Sequence, residues 1–474
     1  MNYRDLFILT VPEAILTAGA LIVLAIDLRL RRTRSNHARM FTGAITTTLA
    51  CVAAGLWIIG ANVSGSFYNS MLVLDALTRL VKPMLLLMTI FTALISVDTN
   101  FTDHVGEFFA LLLLGTIGMM FLVSTENVLM IFIALELLSL SLYILTAFNK
   151  QNVNSAEAAL KYFLIGGISA AFMLFGLSLL YGLTGQIELR KIAAKMFYDP
   201  MLLAAIIMVL AGFGFKVAAV PFHLWAPDAY QGAPTASAAF IASGSKLASF
   251  FILAKVLMLG FSGQTWLMAV AILAALSIFV GNVAAIAQSS VRRLLAYSAV
   301  AQAGYMLTGL LANSQAGLAS LIYYAATYAA TALGAFGVVS IVQERAGGDK
   351  LSAFAGLSRR APMLSFCMLI FLLSLAGIPP LAGFFGKFYL FAAATKAGLL
   401  WLVIFAIAMS AVSLYYYLQV LKQIYIVEAD GPRFTSCAIG CSVSAVLAGT
   451  VIVLGCAPDL LVQPLLRAIQ NARL

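Results

Sequence analysis

Ala211-Gly212-Phe213-Gly214-Phe215-Lys216, followed by Pro221, and Ala382-Gly383-Phe384-Phe385-Gly386-Lys387, preceded by Pro379-Pro380, are near-copies of one phrase set 171 residues apart. Each brings a lysine and a proline into a long apolar segment. Hydrocarbon gives an ammonium no solvation, and proline leaves a backbone carbonyl without its donor. A charge at membrane depth beside a broken helix therefore marks a functional site. The repetition implies that one ion-handling unit was built twice.

Composition sets the class. The 474 residues are 63% hydrophobic and 10% charged, with a mean hydropathy of +1.02, whereas soluble domains carry about 25% charged residues. The expected fold is all-α and polytopic, because apolar runs of about 20 residues each span a bilayer. Fourteen such spans begin near residues 9, 40, 73, 106, 127, 157, 200, 234, 265, 294, 317, 363, 399 and 434. The first span carries Glu13 and precedes many others, so it reads as a retained helix rather than a cleaved signal.

The connection from Arg29 through Arg39 is strongly basic and is expected to stay in the cytoplasm, which puts both termini outside. Arg292-Arg293 and the stretch 345–360 agree with that orientation, while Arg190, Lys191 and Lys195 dissent. The net charge of +10 is then mostly a topology signal and not a nucleic-acid footprint. Lys216 falls in the seventh span and Lys387 in the twelfth, so the two phrases run in opposite directions. This predicts an inverted repeat with broken helices 7 and 12, and four segments: 1–98 with three leading helices, 99–260 with helices 4–8, 261–430 with helices 9–13, and 431–474 with the last helix and tail.

Redox chemistry within the chain is not indicated. Cys51, Cys367, Cys437, Cys441 and Cys456 lie in or beside apolar segments without paired histidines, which reads as packing. Gly212-x-Gly214 sits inside an apolar helix, not in the strand-turn-helix setting of a nucleotide site.

Four intramembrane charges remain: Glu136, Lys216, Lys246 and Lys387. Each costs about 2.5–3.5 kcal/mol if left alone in the bilayer. Lys246 lies some thirteen residues from either end of its span, roughly 20 Å of helix, too far to snorkel. Burial of an ammonium eases loss of its proton, and an approaching carboxylate reverses that tendency. A Glu136–Lys216 contact would thus act as a switch set from a distance. Interhelical ion pairs of purely structural use are the alternative.

Three motifs carry a family resemblance. The run Lys216-Val217-Ala218-Ala219-Val220-Pro221-Phe222-His223-Leu224-Trp225-Ala226-Pro227-Asp228-Ala229-Tyr230 resembles the signature of the antiporter-like subunits of respiratory complex I and the related Mrp cation/proton antiporters. So do Arg293-Leu294-Leu295-Ala296-Tyr297-Ser298 and Leu373-Ser374-Leu375-Ala376-Gly377-Ile378-Pro379-Pro380. The opening Val11-Pro12-Glu13, Asp27, and a lysine on helix 12 resemble the bacterial N-type branch of that family.

The resemblance implies proton translocation. In that scheme Glu136 and Lys216 form the modulating pair, Lys246 joins the half-channels and Lys387 releases the proton outward. His223 is expected at the cytoplasmic mouth or as a plain loop residue, and Glu157 with Lys161 as a solvated pair or a feed-in. Gln302 stands where relatives often have histidine, which passes its role to water, Tyr297 or Ser298. Arg292 and Arg293 read as topology anchors, and Tyr415, Tyr416 and Tyr417 as interfacial packing. The resemblance further implies the inner membrane of a bacterium, other complex I membrane-arm subunits and the lipid bilayer as partners, and protons and water as cargo and medium. No cofactor is expected in this chain; FMN, Fe–S clusters and quinone are expected in partner subunits. A cation/proton antiporter subunit and a non-pumping scaffold are the competing functions.

Overall fold

The computed structural model describes residues 3–61, 64–197, 199–261, 265–428, 434 and 438–472. Three helices lead: α1 (Tyr3–Leu30), α2 (Asn36–Gly60) and α3 (Ala76–Ile95), with an antiparallel hairpin of β1 (Gly65–Phe67) and β2 (Leu72–Leu74) before the third. Then come α4 (Val105–Val123), α5 (Val128–Thr146), α6 (Val153–Thr184), α7 (Leu189–Lys195), α8 (Pro200–Val217) and α9 (Trp225–Gly232). A π-helical turn, Ile241–Ser245, joins α10 (Thr235–Phe240) to α11 (Lys246–Gly260). The rest comprises α12 (Leu267–Ile286), α13 (Val291–Leu311), α14 (Gln315–Ala346), α15 (Leu357–Arg360), α16 (Pro362–Ala376), α17 (Ala382–Lys396), α18 (Leu400–Tyr425), α19 (Ala438–Cys456) and α20 (Asp459–Ala472).

Among the described residues, thirteen helical stretches are long and apolar enough to cross a membrane. The remaining expected span is divided between α16 and α17, of 15 residues each. Each covers only about 22 Å, short of the roughly 30 Å hydrocarbon core. The span formed by α10, the π turn and α11 is wholly enclosed, and α13 and α14 nearly so, while α2, α6 and α18 turn most of their surface outward. The enclosed column therefore has its polar side chains screened from lipid.

Two runs of helices share a set of local features. α6 and α14 are both 32 residues long and stop at left-handed glycines, Gly185 and Gly347. The N-caps of α5 and α13, Asn127 and Ser290, each bridge to the strand-like residue beyond the long helix, Glu188 and Lys350. α8 and α16 both end on a left-handed residue, Ala218 at φ 59° and Gly377 at φ 89°. At Ala218 a Cβ is carried in a region that glycine occupies more cheaply.

Alignment on those two caps corrects one inference from the sequence. It sets Lys216 against Leu375, not against Lys387. Lys216 is the penultimate residue of α8, ahead of its break, and Lys387 is the sixth residue of α17, beyond its break. The physical reason is proline placement: Pro221 follows Lys216, and Pro379-Pro380 precede Lys387, so the missing N–H groups interrupt the helices on opposite sides of the two lysines.

Two elements were not foreseen. The hairpin turn Tyr68-Asn69-Ser70 has three consecutive residues at positive φ, held by bonds such as Glu126 N–H to Ser70 O at 3.0 Å. α20 is a short amphipathic helix that buries Leu465, Ala468 and Ile469. Cys51 and Cys367 are buried and Cys456 is exposed; Cys437 lies outside the described residues.

α12 and α13 approach more closely than side chains would allow. A Cβ on Gly281 would lie 2.4 Å from the Ala301 nitrogen, and one on Gly304 2.8 Å from the Ala274 oxygen. Gly281→Val should force the helices apart, destabilising the protein by about 1–3 kcal/mol. A lower thermal midpoint of the detergent-extracted protein, and less of it in the membrane, is the expected result. Gly167→Ala, whose new methyl would meet nothing within 4 Å, should leave both unchanged.

Candidate functional site

Lys216 is buried at the end of α8 and donates from Nζ to Ser139 Oγ on α5 at 2.8 Å. Ser139 in turn donates to Leu135 O at 2.6 Å. The expected Glu136–Lys216 contact is not made: the salt bridges among the described residues do not include it. Ser139 takes the ammonium instead, with Glu136 one helical turn away and within electrostatic reach. The reason is facial. Glu136 shares its side of α5 with the exposed Ile133 and Leu140, so its half-buried carboxylate points toward the edge of the bundle.

Several groups at the break after α8 find partners close by. Ala218 N–H donates to Phe215 O at 3.0 Å, Val220 N–H to Ser277 Oγ at 2.9 Å, and Trp225 Nε1 to Phe215 O at 2.9 Å. Trp225 stacks on Tyr162 with centroids 4.1 Å apart. Past this aromatic wall lie the Tyr230 Oη and Ser237 Oγ, both buried and without a protein partner. Buried hydroxyls in that condition are where internal water binds.

Lys246 follows directly on the π turn, a geometry that often marks functional positions in helices. Its Nζ donates to Ala299 O on α13 at 2.6 Å and stands 5.7 Å from the Tyr328 ring centre. Ala299 is the neighbour of Ser298, whose hydroxyl bonds Tyr417 Oη on α18. Gln302 Nε2 reaches Tyr417 Oη at 3.4 Å and Leu375 O at 3.0 Å, and Tyr324 Oη donates to Gln302 Oε1. Lys387 Nζ donates to the same Leu375 O at 2.9 Å, to Ala376 O at 3.1 Å and to Ser410 Oγ at 2.8 Å. It also faces the Tyr305 ring at 4.8 Å. A branch runs from Tyr416 Oη to Asn282 Oδ1 at 3.1 Å and from Asn282 Nδ2 to Tyr305 Oη at 3.0 Å.

The carbonyls that hold Lys387 are the ones the helix break sets free. Gln302, which looked like a departure from the family pattern, is the node that joins them to Ser298. Tyr297 is not part of this network; it is part-exposed and packs 6.0 Å from the Arg293 guanidinium. Tyr416 and Tyr417 are almost wholly buried in the network, contrary to the interfacial packing expected of them, while Tyr415 is exposed. Ser139, Asn282, Tyr324 and Ser410 were missed, since uncharged polar residues give little signal in an apolar span.

Glu157 and Lys161 stand at a polar cavity of about 430 Å³, whose lining also includes Asp228, Arg292, Arg293 and Gln343. Lys161 Nζ pairs with Glu157 at 2.7 Å and with Asp228 at 3.0 Å, and Arg293 pairs with Asp228 at 2.7 Å. The expected local pair is thus one edge of a four-charge network that crosses from α6 through α9 to α13. Arg292 is buried, donating to Tyr230 O at 3.0 Å, to Ala233 O, and to Gln343 Oε1 at 3.2 Å. It clamps the loop after α9 and is more than a charge at the membrane surface. His223 is buried in the α8–α9 break with Nδ1 unpartnered. Burial holds its imidazole below the usual histidine value, against an opposing hydrogen bond with the Pro221 backbone.

Three further buried charge clusters lie apart from the lysine chain. Glu13 pairs with Lys82 at 2.6 Å and Asp27 with Arg39 at 2.7 Å. Lys255 is buried between Glu126 at 3.8 Å and Asp75 at 4.0 Å. Lys82 and Lys255 escaped notice because neither adjoins a recognisable motif.

Thirteen described helical stretches long and apolar enough to cross a membrane, set around a column of buried lysines and hydroxyls, define a polytopic all-α membrane subunit. The family described as NADH:quinone oxidoreductase/Mrp antiporter, TM, matches residues 125–413. NADH-quinone oxidoreductase subunit N 2 of Acidobacterium capsulatum is 52% identical, with 98% of this chain and 99% of that protein covered. A subunit N of Heliobacterium modesticaldum is 39% identical over 87% and 88%. Among solved structures, a chain of respiratory complex I from Thermus thermophilus shares 32% identity at TM-score 0.81, covering 94% of this chain and 98% of that one. A chain of the Mrp complex from Dietzia sp. DQ12-45-1b shares the fold at TM-score 0.82 and 22% identity, over 98% and 97%. The chain belongs to the NADH:quinone oxidoreductase/Mrp antiporter family of membrane subunits.

The Asp228 network yields a pH test. Partial burial pushes the Asp228 carboxyl up, but hydrogen bonds from Lys161 and Arg293 outweigh it and hold Asp228 below the usual carboxylate value. Its stabilisation is therefore complete above the unfolded value, about 3.9, and lost as pH falls through the lower folded one. The thermal midpoint of Asp228→Asn should lie below wild type by a constant margin from neutral pH to about pH 5, and the margin should close in stronger acid.

Proposed function

We propose that this chain is a proton-translocating membrane-arm subunit of an NADH:quinone oxidoreductase. The observation that carries this is the Leu375 carbonyl, which accepts from both Gln302 and Lys387. It links the ammonium of a broken helix to the hydroxyls beside Lys246. Lys216, Lys246 and Lys387 hold and pass the proton, and Ser298, Tyr417 and Gln302 relay it. Water at Tyr230 and Ser237 joins Lys216 to Lys246. Uptake is from the cytoplasmic side at the cavity of Glu157, Lys161 and Asp228, with His223 beneath it, and release is past Lys387 to the outside of a bacterial inner membrane, where both termini lie.

Helices 4–8 and 9–13, at 99–260 and 261–430, act as two inverted units, with 1–98 and 431–474 flanking them. The matched caps and long helices of the two runs support this division. Electrons move in partner subunits bearing FMN, Fe–S clusters and the quinone site. Energy reaches this chain through a neighbouring membrane subunit on the α5 face. There Glu136 stands among the exposed Leu129, Ile133, Leu140 and Ile144, a setting in which bare lipid would not hold a carboxylate. Lifting one charge against 100 mV takes about 2.3 kcal/mol, which a cation brought toward Glu136 and withdrawn again is able to supply through Lys216.

Lys246→Met and Lys387→Met, introduced singly, should leave the complex assembled and cut coupled proton pumping in vesicles by about tenfold or more, a change of at least about 1.4 kcal/mol in the barrier. Lysine-to-arginine variants should not restore it, because a guanidinium keeps its proton. Full pumping in both methionine variants would assign the chain a scaffolding role, and pumping that requires sodium would assign it to cation exchange.

A further inference from the structure

The turn between α1 and α2 carries Arg29, Arg31, Arg32 and Arg34, all four exposed. Its backbone is tightly held: Arg31 N–H donates to Asp27 O at 2.9 Å, Arg34 N–H to Leu30 O at 3.0 Å, and Ser35 Oγ accepts from Ala38 N–H at 3.4 Å as the cap of α2. Residues 6–30 and 36–60 are each long and apolar enough to cross a membrane. A connection as short as 31–35 therefore keeps its guanidinium groups at the depth of the lipid head groups. Nearby carboxylates are otherwise engaged. Asp27 is buried against Arg39 at 2.7 Å, and Glu107 on α4 pairs with His104 at 3.2 Å. Asp103 gives its backbone oxygen to Arg39 at 2.9 Å. The ion pairs among the described residues include none of the four turn arginines.

Two apolar tracks lead from the turn into the membrane. On α1, Leu28, Leu24 and Leu21 are exposed and spaced four and three residues apart, so they form one stripe. On α2, Phe41, Ile45, Leu49 and Val52 are exposed at spacings of four, four and three. The two helices pack closely, a Cβ on Gly19 falling 2.6 Å from the Ala50 Cβ, and less than half of either span is buried. Together they present an outward apolar surface that ends at a cluster of cations.

We propose that the α1–α2 turn binds the head group of an anionic phospholipid, with the acyl chains lying along the exposed α1 and α2 stripes. Guanidinium forks match phosphate oxygens in pairs, and basic clusters at the end of a membrane span attract anionic lipid. The stripes match hydrocarbon tails in a way that they would not match a free ion or an acidic peptide. The proposal is independent of proton conduction and stands or falls separately.

The test uses the assembled complex in phosphatidylcholine vesicles containing a trace of phosphatidylglycerol with a photoreactive acyl chain, the crosslinked residues being mapped by mass spectrometry. Label should appear at Leu24, Leu28, Phe41 or Ile45 and be displaced by unlabelled phosphatidylglycerol but not by added phosphatidylcholine. The Arg31→Gln, Arg32→Gln double variant keeps Arg29, Arg34 and Arg39 to hold the orientation of the first two spans. Its labelling at those positions should fall by roughly tenfold or more, since each guanidinium near the surface is worth on the order of fivefold in anionic-lipid binding. Equal labelling by a photoreactive phosphatidylcholine, displacement by millimolar inorganic phosphate, or undiminished labelling of the double variant would each overturn the proposal. Should the variant not assemble, the competition between lipids on the wild-type complex decides the matter. Label found only elsewhere, or this face covered by a neighbouring protein subunit, refutes it.

Discussion

The polar network around Lys387 is organised by the backbone carbonyls freed where α16 ends. Pro379 and Pro380 supply no N–H, so the last turn of α16 must find other donors. Gly377 N–H takes Leu373 O and Ser374 O at 3.0 Å each, and Gly383 N–H takes Ser374 Oγ at 3.1 Å. The carbonyls of Leu375 and Ala376 are left for Lys387 and Gln302. A buried ammonium and an interrupted helix would each be costly alone. Together they offset one another, because the ammonium offers donors only and the break offers acceptors only.

Lys216 and Lys387 sit on opposite sides of their breaks yet share one kind of partner. Each is anchored by neutral oxygens, Ser139 Oγ for the first and Leu375 O, Ala376 O and Ser410 Oγ for the second. Lys246, in the enclosed column between them, is held by a carbonyl as well. None of the three is locked by a carboxylate, in contrast to Lys82 against Glu13 and Arg39 against Asp27. An ammonium bound only to neutral oxygens can give up its proton without stranding a buried anion, whereas the ion-paired cations tie helices together.

Much of this was legible in the sequence, because apolar run length, proline chemistry and stray charges are local signals. The all-α, polytopic class and most of the membrane spans came from such signals, as did the burial of Lys216, Lys246 and Lys387. What escaped depended on which way a helix faces. Glu136 was expected to meet Lys216, but α5 is rotated so that Ser139 does. Of Tyr415, Tyr416 and Tyr417, consecutive residues on one helix, two enter the core and one faces outward, and nothing in the triplet itself says which. The matched Gly-Phe phrases suggested equivalent lysines, although the prolines place the breaks differently. α20 and the β1–β2 hairpin were overlooked because both are shorter than the windows that reveal membrane spans.

Continuity between Lys216 and Lys246 is the central physical claim, and among the described residues direct side-chain bonds do not span that interval. A density map of the assembled complex at a resolution that shows ordered water tests it most directly. Water within about 2.7–3.2 Å of Tyr230 Oη and Ser237 Oγ, linked onward to both lysines, is the expected result. A dry interval, with aromatic and aliphatic side chains closed over those two hydroxyls, would contradict it.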